Sequence, residues 1–520
     1  MALLRSASTV AGMTMVSRVL GFVRDVLMAS VIGTGLIADA FVVAFRFPNL
    51  FRRLFAEGAF NAAFVPLFAR RLEGEGQPAA TRFAEEVLAC LLVFLISLSA
   101  LAMLAMPFVI YGLAPGFIDN PEKFDLTVQL TRIAFPYLTF MSLVALVGGI
   151  LNSLHRFTAA AAAPIILNIV LITVLAAALL SGWDAEPRTG FALAWGVSVA
   201  GLLQFAMLWI AMTRAGVSLK LKMPSITPGV RRLVALGIPG LIAGGITQIN
   251  LLVSTMIASL QESAPSWLYY ADRIYQLPLG VIGIAIGVVL LPELSRRLRA
   301  EDSEGVHSSQ NRALEISLLL TIPSAVALMA MPHPIIHVLF ERGAFDADDA
   351  RATSVALAAF AAGLPAFVMI KVFSPAYFAR EDTRTPMWFA LISVVINIAG
   401  ALALFPFIAY VGVALATTAA GWVNALMLGY TLSRRGDFAL DARLTKALPR
   451  IIAASLVMGF ALLGVMQFVS PVFDAETQFI VRLALLAAMV GGGAAIYFTI
   501  AWWWGALDVA ALKRSFSRST

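Results

Sequence analysis

The chain has 520 residues, 60% of them hydrophobic and 13% charged, with a formal net charge of +7. A soluble domain carries roughly 25% charged residues, so this composition, with a mean hydropathy of +0.88, excludes one and points to a polytopic membrane protein. The positive charge needs no nucleic acid to explain it, because a basic face beside anionic lipid is enough.

Runs of about 20 mainly apolar residues, bounded by polar or Gly/Pro punctuation, predict fourteen membrane spans. They lie near 9–32, 36–62, 84–112, 128–152, 159–182, 189–213, 232–258, 267–293, 313–340, 352–377, 386–407, 410–433, 448–470 and 478–505. No short apolar segment with a small-residue cleavage site precedes the first run, so the N-terminus is expected to be kept as the first span.

Span 1 contains the stretch MVSRVLGFVRDVLMAS, which carries Arg18, Arg24 and Asp25 where charge is costly. At about 100° per residue, Ser17, Arg18, Arg24 and Asp25 fall within an arc of roughly 120°. Span 2 adds Asp39, Arg46, Arg52, Arg53 and Glu57, with Pro48 expected to bend the helix among them. Span 3 holds the only cysteine, Cys90, which reads as a small buried hydrophobe, so neither a disulfide nor a cysteine metal site is expected. Span 8 opens YYADRIYQLP with Asp272 and Arg273, and span 10 carries Lys371.

His333 and His337 have a metal-like i, i+4 spacing, but the flanking prolines and the lack of a zincin glutamate favour an interfacial structural role. Arg482 lies close enough to the end of span 14 to snorkel, and Trp502, Trp503 and Trp504 close that span as an aromatic belt. No G-x-x-x-x-G-K phosphate loop occurs, so an ATPase is not expected.

Basic residues orient the spans, since Lys and Arg collect in cytoplasmic loops. With the N-terminus inside, 24 of the 37 bases fall in inner segments and five in outer loops: Lys123, Arg132, Arg188, Arg342 and Arg351. Both termini are therefore expected to be cytoplasmic.

A repeat is visible as well. PLFARRL (66–72) is echoed by PELSRRL (292–298), PFVIYGLAPG (107–116) by PIIHVLFERG (334–343), and Pro136 by Pro365, at offsets of 226 to 229. The Ala38-Asp39 pair is matched to Ala271-Asp272 in the same scheme. Six spans per copy is an even number, so the copies share one orientation, a parallel repeat with substrate sites expected between its lobes. The expected fold is an all-α polytopic membrane protein of 14 transmembrane helices. Two six-helix lobes, 1–225 and 226–440, are followed by the last two spans and a cytoplasmic tail, 441–520.

Buried salt bridges can neutralise Asp25, Asp39, Glu57 and Asp272. They leave an excess, since six bases in spans 1, 2 and 8 (Arg18, Arg24, Arg46, Arg52, Arg53 and Arg273) face those four acids. Surplus positive charge at membrane depth predicts an anion site, and the planar fork of arginine suits a multiply charged phosphate.

The residues SRVLGFVRD (17–25), ADAFVVAFRFPNLFRRLFAEGAF (38–60), YADR (270–273) and KVFSPAYFAREDTRTP (371–386) closely resemble the MurJ (MviN) family, lipid II flippases of the MOP exporter superfamily. The resemblance covers the whole chain and implies two six-helix lobes around a cationic cavity, with a groove at the last two helices for a polyprenyl tail. It implies that Arg18, Arg24, Arg52, Arg53 and Arg273 bind the lipid II diphosphate, while Ser17, Asp25, Asp39, Asn49, Glu57, Asp272 and Lys371 line or brace the cavity.

Two departures follow from the same resemblance. Gln276 stands where some members have a glutamate, and Gln248, Asn250 and Asn397 offer no carboxylate where some bind sodium. The expected activity is translocation of lipid II from the cytoplasmic to the periplasmic leaflet of the bacterial inner membrane by alternating access. No cofactor or metal is expected; the membrane potential or a monovalent cation would drive it. Membrane lipids and other cell-wall synthesis proteins are candidate partners. The competing readings are a flippase for another polyprenyl-diphosphate oligosaccharide and a cation-coupled MATE-type exporter, whose cavity should instead hold an excess of carboxylates.

Overall fold

The computed structural model describes residues 2–53, 60–183, 185–473 and 477–507, and Glu57 lies outside them. Among the described residues the chain is helices and turns, with one isolated antiparallel bridge between Arg342 and Phe345. It divides by packing into two compact units, Met1–Ser266 with Arg342–Asp346, and Trp267–Glu341 with Ala347–Thr520.

The helices of the first unit are α1 (Ala2–Ile32), α2 (Leu36–Arg52), α3 (Phe60–Glu75), α4 (Gln77–Leu104), α5 (Met106–Leu113), α6 (Pro121–Ala134), α7 (Tyr137–Ser153), α8 (Thr158–Leu180), α9 (Pro187–Arg214) and α10 (Pro228–Ala258). Then come α11 (Ala264–Arg299), α12 (Ser303–Ala330), α13 (Pro332–Phe340), α14 (Ala347–Ala361), α15 (Leu364–Phe378), α16 (Arg384–Arg434), α17 (Ala442–Val469) and α18 (Phe479–Trp503). The packing division falls later than the expected lobe boundary at 225, because α10 lies against α3, α4 and α5.

Nine helical stretches among the described residues are long and apolar enough to cross a membrane. One of them, α16, loses helical geometry at Ile408 and Ala409, the gap expected between spans 11 and 12. Four expected spans are broken once each. α4 gives way to α5 at Ala105, α6 to α7 at Phe135–Pro136, α12 to α13 at Met331, and α14 to α15 at Ala362–Gly363. In each case a proline follows within two residues or sits at the break, and it fits a first helical turn better than a helix interior.

These breaks recur at one interval. α1 and α10 are each 31 residues long and begin 226 positions apart, and so do α4 and α12, α5 and α13, α6 and α14, and α8 and α16. The Ala-Asp echo does not keep that register: Asp39 stands in the first turn of α2, whereas Asp272 is two turns into α11. At an offset of 227 the counterpart of Arg273 is instead Arg46.

Helix starts follow the sequence. The side chains of Asn120, Thr227, Asp302 and Asp441 each accept a hydrogen bond from a first-turn backbone N–H of α6, α10, α12 and α17. At the α1–α2 turn, Gly33 (φ +59) and Gly343 (φ +59) make a reciprocal close approach: a Cβ on either would stand 2.2 Å from a carbonyl oxygen, of Ala344 or of Ser30. Ala344 N–H donates to Ser30 O at 2.8 Å there, which ties the Arg342–Asp346 segment to the first unit.

Candidate functional site

In the first unit α1 packs along α8, and this contact turns Arg24 and Asp25 inward. Arg24 donates from Nε (3.0 Å) and Nη2 (2.7 Å) to Asp25 Oδ1, and from Nη1 to Asn168 Oδ1 at 3.0 Å. Asn168 Nδ2 in turn donates to the backbone oxygen of Ser17 at 2.9 Å. The four side chains expected on one arc therefore divide. Arg24 and Asp25 are buried, Ser17 is half-buried, and Arg18 is exposed. Asn168 was absent from the expected site, although its signal was present: one amide in the otherwise apolar run PIILNIVL. It gives Arg24 a neutral acceptor that Asp25 alone cannot supply.

Asp39, expected to line or brace the cavity, is held in a buried hydrogen-bond network. Fully buried, it accepts from Lys123 Nζ at 2.6 Å, from the backbone N–H groups of Ser263 and Ser266 at 3.0 Å each, and from Ser266 Oγ. Lys123 had been assigned to an outer loop. It is instead buried in α6, with its ammonium 4.5 Å from the centroid of the Phe117 ring. A buried carboxylate needs several donors to offset lost hydration, and this one has four.

Further along α2, Pro48 sits inside the helix, and Arg52 Nε donates to Asn49 Oδ1 at 2.7 Å one turn back. Arg52 is half-buried and Arg53 exposed. Arg46 donates to Thr255 Oγ1 on α10, which uses one of the expected surplus bases as a bridge between helices.

In the second unit, Asp272 Oδ2 accepts from Gln276 Nε2 one turn on, so the departure at 276 supplies a hydrogen-bond donor to the acid. The Arg273 guanidinium lies 4.6 Å from the Tyr269 ring centroid, a cation–π distance. Lys371 on α15 is exposed.

The same unit contains an apolar cavity of about 570 Å³. The resemblance implied a groove at the last two helices, and here α11, α12 and α13 share the walls with α17 and α18, through residues such as Ile282, Leu320, Met331, Met458, Val490 and Tyr497. Near the start of α18, Arg482 does not snorkel freely. Its Nη1 lies 2.8 Å from Nε2 of buried His337, whose Nδ1 lies 2.6 Å from Glu341 Oε2. An arginine can only donate, so Nε2 accepts and the ring's proton sits on Nδ1, facing Glu341.

The family model described as lipid II flippase MurJ matches residues 28–483. The chain belongs to the lipid II flippase MurJ family. A probable lipid II flippase MurJ from Rhizobium meliloti (strain 1021) is 49% identical over 519 residues, covering 100% of this chain and 97% of the relative. A solved lipid II flippase MurJ in an inward closed conformation superposes with a TM-score of 0.78 at 26% identity, covering 94% of this chain and 97% of the other. An inward-facing multidrug resistance MATE transporter of the MOP superfamily superposes with a TM-score of 0.67 at 13% identity, over 83% of this chain and 98% of that one, and shares the fold.

Proposed function

We propose that the chain moves lipid II from the cytoplasmic to the periplasmic leaflet of the inner membrane by alternating access, as a transporter and not an enzyme. The observation that carries the reading is the MurJ family match over residues 28–483, beside a probable lipid II flippase 49% identical over 519 residues.

Fourteen crossings with cytoplasmic termini belong to the same reading. The nine apolar stretches, with α16 counted as two helices, leave α1, α2 with α3, α10 and α11 to supply four more. Arg18, Arg24, Arg52, Arg53 and Arg273 take the diphosphate. For Arg24 this means exchanging Asp25 or Asn168 for phosphate oxygens, which can take its guanidinium bidentately. The polyprenyl tail lies in the apolar cavity walled by α17 and α18.

The membrane potential supplies the bias. Two negative charges moving outward gain about 4.6 kcal/mol at about 100 mV, enough to tilt a conformational equilibrium of a few kcal/mol. Dissipating the potential should slow flipping, and unchanged rates would remove this term.

The decisive experiment is depletion of the protein in its native host. Lipid II should build up in the inner leaflet, followed by lysis. Normal wall growth with loss of only a surface polysaccharide would replace lipid II with another polyprenyl-diphosphate substrate.

A further inference from the structure

The segment between α9 and α10, residues 215–227, has no regular structure, yet it is pinned along the start of α4. Gln77 Nε2 donates to Gly216 O at 3.0 Å, and Lys220 N–H donates to Glu85 Oε1 at 3.0 Å. Lys222 Nζ pairs with Glu85 Oε2 at 2.5 Å, Cys90 Sγ reaches Ser225 O at 3.3 Å, and Thr227 Oγ1 donates to Glu86 Oε2 at 2.8 Å. Val217 and Leu219 are buried beneath the segment. Five attachments over twelve residues fix which way the strap faces.

That orientation leaves its remaining apolar side chains uncovered: Leu221 is 73% exposed, Met223 87% and Ile226 76%. On the transmembrane helices an exposed apolar side chain faces lipid. These three stand outside any helix, and a pinned backbone cannot roll over to bury them. They are interleaved with Lys220 and Lys222, and Arg231 and Arg232, both exposed, follow near the start of α10. The strap joins the ends of two consecutive spans, so it lies at a membrane surface whichever way the chain is oriented. Basic residues beside outward apolar ones at that level fit the boundary between phosphate headgroups and acyl chains.

We propose that residues 220–232 form an interfacial anchor, with Leu221, Met223 and Ile226 inserted just below the headgroups and Lys220, Arg231 and Arg232 taking the phosphates of anionic lipids. The partner is a lipid surface, and the exposed apolar surface continues onto the start of α10, where Val234, Leu236 and Ile238 are also exposed. The anchor rests on the chain spanning a membrane but not on the identity of the transported lipid.

The test uses the full chain with Cys90→Ser, which keeps a donor toward Ser225, and Met223→Cys carrying an environment-sensitive fluorophore. The protein is reconstituted in vesicles of phosphatidylcholine alone or mixed with phosphatidylglycerol. The expected result is blue-shifted emission that is quenched by shallow spin-labelled lipid, with quenching stronger in the anionic vesicles and reduced there by the exposed-base variant Arg231→Gln/Arg232→Gln. Water-like emission in both vesicles overturns the anchor. Blue-shifted emission without lipid quenching also overturns it and assigns the patch to a protein contact. Quenching that ignores lipid charge overturns the phosphate contacts. Lipid II flipping measured on the same vesicles keeps this result separate from the transport reading.

Discussion

α1 and α10 are helices of equal length set 226 residues apart, yet they carry different chemistry. Where α1 has Arg18, Arg24 and Asp25, the corresponding positions of α10 hold Gly244, Asn250 and Leu251. A helix of this length at this place in the repeat therefore does not need such charges to form. The units differ in the same sense. The first buries ion pairs at Arg24–Asp25 and Asp39–Lys123, whereas the second sets a buried His337 between Arg482 and Glu341 and has an apolar cavity.

The largest effect should come from erasing the difference between the two helices. Arg24→Ala should abolish complementation of a depleted host while the protein still inserts, and adding Asn250→Arg should not restore it. Because Arg24→Ala leaves Asp25 buried without its ion partner, Arg24→Ala/Asp25→Ala separates packing from function. Full complementation by either variant would remove Arg24 from the site.

Next in size is the Asp39–Lys123 pair. Asp39→Ala strands a buried ammonium and should cost about 3–5 kcal/mol, read as a lowered unfolding temperature in detergent, and adding Lys123→Met should recover most of it. In the second unit, Ala494→Trp puts a large ring into the apolar cavity, which has room for it; it should slow lipid II transport with little change in unfolding temperature. Unchanged transport would detach the tail from this cavity.

The smallest effect lies outside the spans. Burial opposes ionisation of Asp382, but hydrogen bonds from Thr385 and Arg435 outweigh it and hold the carboxyl at about 2. A carboxyl depressed below its unfolded value of roughly 3.9 adds stability above that pH and loses it as pH falls through about 2. Asp382→Asn should therefore cost about 1 kcal/mol at neutral pH, and the gap to the parent should close on acidification over that window.

Another contrast shows what a repeat leaves to tertiary packing. On α5, Phe108 and Tyr111 are 82% and 62% exposed, while their counterparts on α13, Pro334 and His337, are buried, because α18 and the turn at Ser470–Phe473 cover that side. The repeat was legible because prolines and apolar runs recur at a fixed interval. The covering of α13 was not, because no local signal in PIIHVLFERG tells of a helix that arrives 140 residues later. The arginines were legible as anomalies for the same reason that Asn168 was overlooked: charge stands out in an apolar run far more than an amide does.

The sequence by itself determined an all-helical membrane chain, the break at Ile408–Ala409, the repeat interval and the residues that carry the family likeness. Each is a matter of composition or short-range periodicity, which hydration and backbone geometry impose locally. Tertiary structure alone decided which charges are held and by what. It gave Arg24 to Asp25 and Asn168, Asp39 to Lys123 and two serines, and Arg482 to His337. Except for the Arg24–Asp25 neighbours, those partners lie tens to hundreds of residues apart, and burial makes such pairing obligatory without writing the partner into the local sequence.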